Sequence, residues 1–352
     1  MNKPNSSLAR GFLRYARGIK LRFSLTLPVG GLILGLIILV VCLIFSVTFG
    51  AAKIPLGTIY QSFLSFDASR EHLIIRTVRL PRSLLAMIVG AAISVAGALM
   101  QGVTRNPLAD PGILGVSSGA AFSVVMAIFF FGASTPSIYV WYAFLGAGVT
   151  AISVYFLASL GRGGATPLNL TIAGAAISSL LASLTSGILI VSQRTLEEIR
   201  FWLAGSLAGT DASIIVQVLP YICIGMILAL AISRQVTILS LGEDIALGLG
   251  QQTTWVKIAA VICVLLLDGS AVAVAGGIGF IGLVIPHIVR FVVGVDYRWI
   301  IPYSALFGAI LLLVADILAR LIIQPQEVPV GIMTALVGAP FFVYLAKTKV
   351  KK

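Results

Sequence analysis

Charge is scarce in this sequence, and acidic charge scarcer still. Of 352 residues only 10% are Asp, Glu, Lys or Arg, and 12 acids stand against 24 bases. A soluble domain carries about 25% charged residues, so a water-solvated globule is excluded. Histidine occurs twice and cysteine three times. Cys42, Cys223 and Cys263 all lie in apolar stretches, without metal-ligand spacing or a disulfide framework, and read as small buried residues. No metal site is expected. The sequence contains neither a G-x-x-x-x-G-K-S/T phosphate loop nor an H-E-x-x-H zinc motif. No nucleophile–base pair can be named, so no catalytic residue is expected. Any coupling to ATP has to come from another subunit.

What is abundant is apolar: 59% of the residues are hydrophobic and the mean hydropathy is +1.08. In hydrocarbon every backbone N–H and C=O must be satisfied within the segment, so apolar runs of about 20 residues read as transmembrane helices. Ten such runs are predicted, at 27–47, 82–101, 112–131, 138–158, 170–191, 213–232, 254–275, 278–294, 300–322 and 328–346. The fold class is therefore all-α integral membrane protein. The eighth run is short and carries Pro286, His287 and several glycines, the kind of break tolerated at membrane depth only against protein or water. The first follows six basic residues and is too long for a signal-peptide core of about 7–15 residues, so it reads as a retained helix.

The net charge of +12 does not imply nucleic acid, because the bases gather at the chain ends and beside apolar runs. With ten spans both termini share a side, and that side carries twice as many Lys and Arg as the other, which puts both termini in the cytoplasm. The organisation is a basic N-terminal segment (1–26), a transmembrane domain (27–346) with a polar cytoplasmic loop at 233–255, and a basic tail (347–352). Ala96-Gly97 with Pro107, and Ala275-Gly276 with Pro286, share one spacing on helices of opposite direction, as an inverted repeat would.

Five groups of residues carry chemistry. Gln101–Gly119 packs two prolines and four glycines into one connection; it is either a tight capped hairpin or, through Asn106 and Pro107, part of the conduction path. In the loop at 233–255, Leu241, Ile245, Leu247 and Leu249 are apolar, and Gly242, Glu243, Asp244 and Gly250 make it flexible and acidic. A membrane-surface helix favours basic residues, so a protein partner is the better fit. Arg76, Arg79, Arg82 and Arg320 cluster on the opposite side, where they either snorkel to lipid phosphates or meet a partner's carboxylates. Asp268, Asp316 and His287 lie at membrane depth; they make a proton relay or, more simply, structural pairs, since Asp316 and Arg320 are four residues apart. On the fifth span Thr171, Ser178, Ser179, Ser183, Thr185 and Ser186 crowd one side, for a hydrated path or for helix packing.

These segments, in this order, resemble the FecCD/BtuC-like permeases of bacterial ABC importers for ferric siderophores and vitamin B12. The resemblance rests on Arg79-Leu80-Pro81-Arg82, the run Asn106 to Gly115 (NPLADPGILG), Leu241-Gly242-Glu243, the run Gly279 to His287 (GFIGLVIPH), Ala315 to Arg320, and Pro329-Val330-Gly331 with Gly338-Ala339-Pro340. It implies a type II importer permease fold of ten helices with an inverted repeat, a homo- or heterodimer with a central path, two cytoplasmic ATPase subunits carrying ATP and Mg, and an extracytoplasmic binding protein. The loop bearing Leu241, Gly242, Glu243, Asp244, Leu247 and Gly250 would meet the ATPase. Arg79, Arg82 and Arg320 would pair with glutamates of the binding protein, and the setting would be the bacterial inner membrane. Asp268 stands where the vitamin B12 permease pattern is apolar, and Pro167-Leu168 where it has small gate hydroxyls. The cargo expected is a ferric siderophore, with vitamin B12 or haem as alternative; the rival class is a proton-coupled transporter built on Asp268 and Asp316.

Overall fold

A computed structural model describes residues 26–50, 54–132, 135–161, 166–209, 212–324 and 326–349. The N-terminal basic segment up to residue 25, the end of the tail from residue 350, Lys53, Arg162 and Ala165 lie outside the described residues. Among the described residues, seven helices are long and apolar enough to cross a membrane and three shorter apolar helices accompany them, matching the ten runs read from the sequence.

In chain order the helices are α1 (Thr26–Thr48), α2 (Leu56–Leu64), α3 (Arg70–Leu73), α4 (Leu80–Thr104), α5 (Val116–Phe131), α6 (Pro136–Leu160), α7 (Pro167–Val191), α8 (Gln193–Leu203), α9 (Ala212–Ala231), α10 (Ser233–Leu241), α11 (Glu243–Gly248), α12 (Thr253–Ala275), α13 (Ile281–Val293), α14 (Tyr297–Leu321) and α15 (Val330–Lys349). A π-helical stretch, Ile74–Arg79, joins α3 to α4, so the second span runs unbroken from Arg70 to Thr104. Proline opens α6 and α7, where its missing N–H is harmless, and Thr166 caps α7 by accepting from the Asn169 amide.

Helix α4 is the mast of the bundle. Nearly every residue from Leu85 to Thr104 is buried, and α9, α10, α12, α13 and α14 pack around it. Lipid is as apolar as leucine, so close van der Waals packing rather than water exclusion holds such helices together. The sequence supplies glycine where that packing is tightest. A methyl on Gly90 would overlap the Gly308 carbonyl of α14, and one on Gly97 the Gly282 carbonyl of α13. Helices α5, α6 and α7 form a second group joined to the mast chiefly through α12.

Two spans depart from the runs expected. The third begins as a 3-10 turn, Pro111–Leu114, and turns at Gly115 (φ 69°) before α5 starts. The eighth is only 13 residues, preceded by Gly276 (φ 70°) and Phe280 (φ 70°), both in the left-handed region. The amphipathic helix α8 was not expected: Ser192 caps it, Thr195 and Ile199 are buried, and the Arg and Glu residues lie outward or part-exposed.

Candidate functional site

The chemistry-bearing residues gather at the two ends of α4. At its N-terminal end, Asp316 of α14 is fully buried between two guanidinium groups. Arg82 Nη2 lies 2.8 Å from its Oδ1 and Arg320 Nη2 3.0 Å from its Oδ2. Arg82 also reaches Glu327 at 2.5 Å. The i,i+4 pairing of Asp316 with Arg320 was legible in the sequence; its sharing with Arg82 was not. The arginines also close the end of α1. Arg320 donates to the carbonyls of Ser46 (2.9 Å) and Phe49 (3.0 Å), and Arg79 to those of Val47 and Thr48, both at 2.8 Å. Cations there satisfy orphan carbonyls and oppose the negative end of the helix dipole.

The three arginines expected at the docking face are engaged within the subunit. Arg79, Arg82 and Arg320 are only 5%, 7% and 4% exposed, each turned inward to Asp316 or to the carbonyls that end α1. Among the described residues, the exposed cations of that face are Arg70, Arg76, Arg194 and Arg200. Arg76 lies 4.4 Å above the Phe66 ring and Arg194 pairs with Glu198. Beside them opens a cavity of about 490 Å³, lined among others by Tyr139, Glu198, Phe201, Trp202 and Glu327.

At the other end of α4 stands the elbow made by α10 and α11. Gly242, at φ 142°, is the bend, and Gly250, at φ 77°, ends it. Leu241, Ile245, Leu247 and Leu249 are each at least half exposed, and Asp244 is exposed too. Glu243 turns back: its Oε1 lies 2.5 Å from Lys257 Nζ and accepts from Thr253 at 3.2 Å. The Lys257 hydrogen bond, supported by Thr253 and the charge of Arg105, holds the Glu243 carboxyl below the usual glutamate range. Thus Glu243 fixes the elbow's shape, and the leucines form its outward face.

The path residues fall into three places. Asn106 and Pro107 lie in the turn after α4, where Asn106 Oδ1 accepts from the Leu108 amide at 2.9 Å and Asp110 Oδ1 from Gly112 at 2.9 Å. Both side chains brace the turn locally. On α7, Ser179 and Ser183 face outward with Thr171 and Ser186, whereas Ser178 is half-buried toward Gly115 and Thr185 is buried. The hydroxyl set expected on one side is therefore split over two. Asp268 is 4% exposed, on the inner side of α12 one residue before Gly269, which packs beside Phe144 and Ala147 of α6. His287 sits between the rings of Phe291 and Phe341. The string Gly115 to Gly119 spells G-x-S-x-G, but it follows a 3-10 turn rather than the strand a nucleophile elbow requires.

Fold and site together define a polytopic, all-helical membrane protein with its charged groups gathered at the two ends of one central helix. The chain belongs to the FecCD transport family, whose model matches residues 38–348. It is 49% identical over 322 residues to the Probable siderophore transport system permease protein YfiZ of Bacillus subtilis (strain 168), covering 89% of this chain and 97% of that one. It is 47% identical to the iron(3+)-hydroxamate import system permease protein FhuB of the same organism, covering 90% and 82%. A solved inward-facing structure assigned to a metal-chelate type ABC transporter superposes with a TM-score of 0.79 at 31% identity, covering 90% of this chain and 98% of that one.

Proposed function

We propose that the chain is the membrane-spanning subunit of an ATP-driven importer that carries a ferric siderophore across the bacterial cytoplasmic membrane. It works as a dimer with a second permease, identical or not, over two ATPase subunits that bind ATP and Mg. The observation that carries this reading is the elbow: four exposed apolar side chains on an acidic, base-free bend, braced by Glu243–Lys257 against the bundle. Such a surface suits a protein partner better than lipid headgroups. The Lys and Arg bias puts the elbow and both termini in the cytosol.

The opposite face would receive a binding protein. Arg79, Arg82 and Arg320 shape that face from beneath, and Arg76, Arg194 and Arg200 present its charge. Substrate then passes beside the outward hydroxyls of α7, where a dimer partner completes the wall. The iron chelate is favoured as cargo because both curated relatives described above are named for siderophore or iron-hydroxamate import.

The test is uptake of a radio-iron chelate into proteoliposomes holding the permease, its ATPase and its binding protein. Uptake that requires ATP and the binding protein is expected. Uptake driven by a proton gradient without the ATPase would replace this reading with the proton-coupled one.

A further inference from the structure

Helix α13 contains Pro286, and proline has no amide hydrogen to give the carbonyl four residues earlier. That carbonyl belongs to Gly282, buried against Gly97 of α4, where an unsatisfied carbonyl is costly. The missing donor comes from α4. Gln101, 3% exposed, donates through Nε2 to the Gly282 carbonyl at 3.1 Å and to that of Leu283 at 3.2 Å. One turn earlier on α4, Gly97 lets the two helices approach closely enough.

The other end of the Gln101 amide is equally specified. Its Oε1 accepts from Arg290 Nη1 at 2.5 Å, and Arg290 Nη2 donates to Tyr297 Oη at 3.0 Å. Tyr297 is 2% exposed, and its backbone amide donates to Thr237 Oγ1 at 2.9 Å. Thr237 lies on α10, one turn before Leu241 and the bend of the elbow. Packing reinforces the line. A methyl on Gly102 would come within 2.6 Å of Val236 on α10 and 2.7 Å of the Tyr297 hydroxyl. A run of buried and part-buried hydrogen bonds thus leads from the elbow through α14 and α13 to the mast, and ends on the carbonyl that Pro286 leaves free.

We propose that Thr237, Tyr297, Arg290 and Gln101 form a transmission strut: positioning residues through which displacement of the elbow carries α13 along with α4. The inference rests on the reading that an ATPase acts at the elbow. Its physical basis is that a helix whose first turn is held by a side chain of its neighbour follows that side chain. In an ordinary α-helix the carbonyl would be held within the helix itself. Here Pro286 makes α13's first turn depend on Gln101, and Arg290 ties Gln101 to the element beside the elbow.

The test uses the assembled complex in proteoliposomes, with ATP hydrolysis and chelate uptake measured on the same preparation. Gln101→Leu is expected to assemble and hydrolyse ATP while uptake per ATP falls by about tenfold or more, the size of an ordinary coupling between sites. Tyr297→Phe and Thr237→Val, which remove single hydroxyls, should show the same split and serve where Gln101→Leu does not assemble. The deciding variant is Gln101→Leu with Pro286→Ala, which gives the Gly282 carbonyl an amide donor again. It should regain the parent's thermal stability but not its uptake per ATP. Recovery of both, or uptake per ATP within about twofold of the parent in Gln101→Leu (too little for a coupling element), overturns the strut. Absence of ATP-dependent uptake in the parent complex counts instead against the importer reading.

Discussion

Replacing Asp316 by Asn removes one charge and almost no volume from the buried arginine network. The carboxylate has no exposed surface and holds two guanidinium groups at 2.8 and 3.0 Å. Breaking a buried ion pair by removing one partner costs about 3–5 kcal/mol, because the remaining charge stays desolvated. Here neither arginine is stripped bare: Arg82 keeps Glu327, and Arg320 keeps the Ser46 and Phe49 carbonyls and the Ser46 hydroxyl. The lower end of the range, about 3 kcal/mol, is therefore expected. At roughly 2 °C per kcal/mol for a long chain, the midpoint of thermal inactivation should fall by about 6 °C. The assay is loss of the monodisperse peak after heating purified protein in detergent. Arg320→Met should cost less in the Asp316→Asn background than in the parent, because the pair is already gone. A shift below about 1 °C, far under that conversion, with fully additive effects would refute the view that this network clamps α1 to α14.

Other perturbations test other parts of the molecule. Gly97→Ala should lower the same midpoint and the folded yield, overpacking costing about 1–3 kcal/mol, whereas Gly187→Ala, with open space around its Cα, should be neutral. Glu243 has a lowered pKa, so its stabilisation is complete above the ordinary glutamate value and lost as the pH falls through the lower folded value. Glu243→Gln should accordingly speed amide exchange across residues 242–250 at neutral pH, and equal exchange would remove its bracing role. Asp268 leaves Oδ2 buried without a hydrogen-bond partner. Asp268→Leu should therefore keep or raise the thermal midpoint and preserve uptake, and a collapse of uptake would revive the proton relay.

The helices were legible because lipid demands them: a run of about 20 apolar residues has no other way to satisfy its backbone. The short α13 was legible as a disturbed segment from Pro286 and its glycines, but its true start depends on Phe280 adopting a left-handed backbone, which no hydropathy pattern records. Helix α8 escaped because it is short and charged, with a hydrophobic side too narrow to register against the spans beside it. The arginines show the sharper limit. Sequence placed Arg79, Arg82 and Arg320 at helix ends on one face, and they do lie together there. Whether a guanidinium turns outward to a partner or inward to a carboxylate 234 residues away is decided by packing. Gln101 illustrates the same limit from the other side: Pro286 announces in the sequence that a donor is wanted, and only the fold says which residue supplies it.

The packing also limits how the molecule moves. Along α4 the tight places are Gly90 against Gly308, Gly97 against Gly282, and Gly102 against Val236 and Tyr297. Interdigitated contacts of this kind have discrete arrangements and do not slide by fractions of an ångström. Helices α4 and α14 therefore move as one body, and displacement has to be taken up where packing is loose. The spans least covered by the subunit's own helices are α1 and α7, each 11% buried along its apolar stretch, against 78% for the span containing α4. Spin labels on α4 and α14 of one subunit should then keep their distance between nucleotide-free and nucleotide-bound complexes. In the proposed dimer, labels on α7 of the two subunits should separate or close by several ångströms, on the order of a helix shift at an interface. A changing α4–α14 distance with a constant α7–α7 distance would mean that the mast bends, and force from the elbow would then be dissipated within α4 before it reached the substrate path.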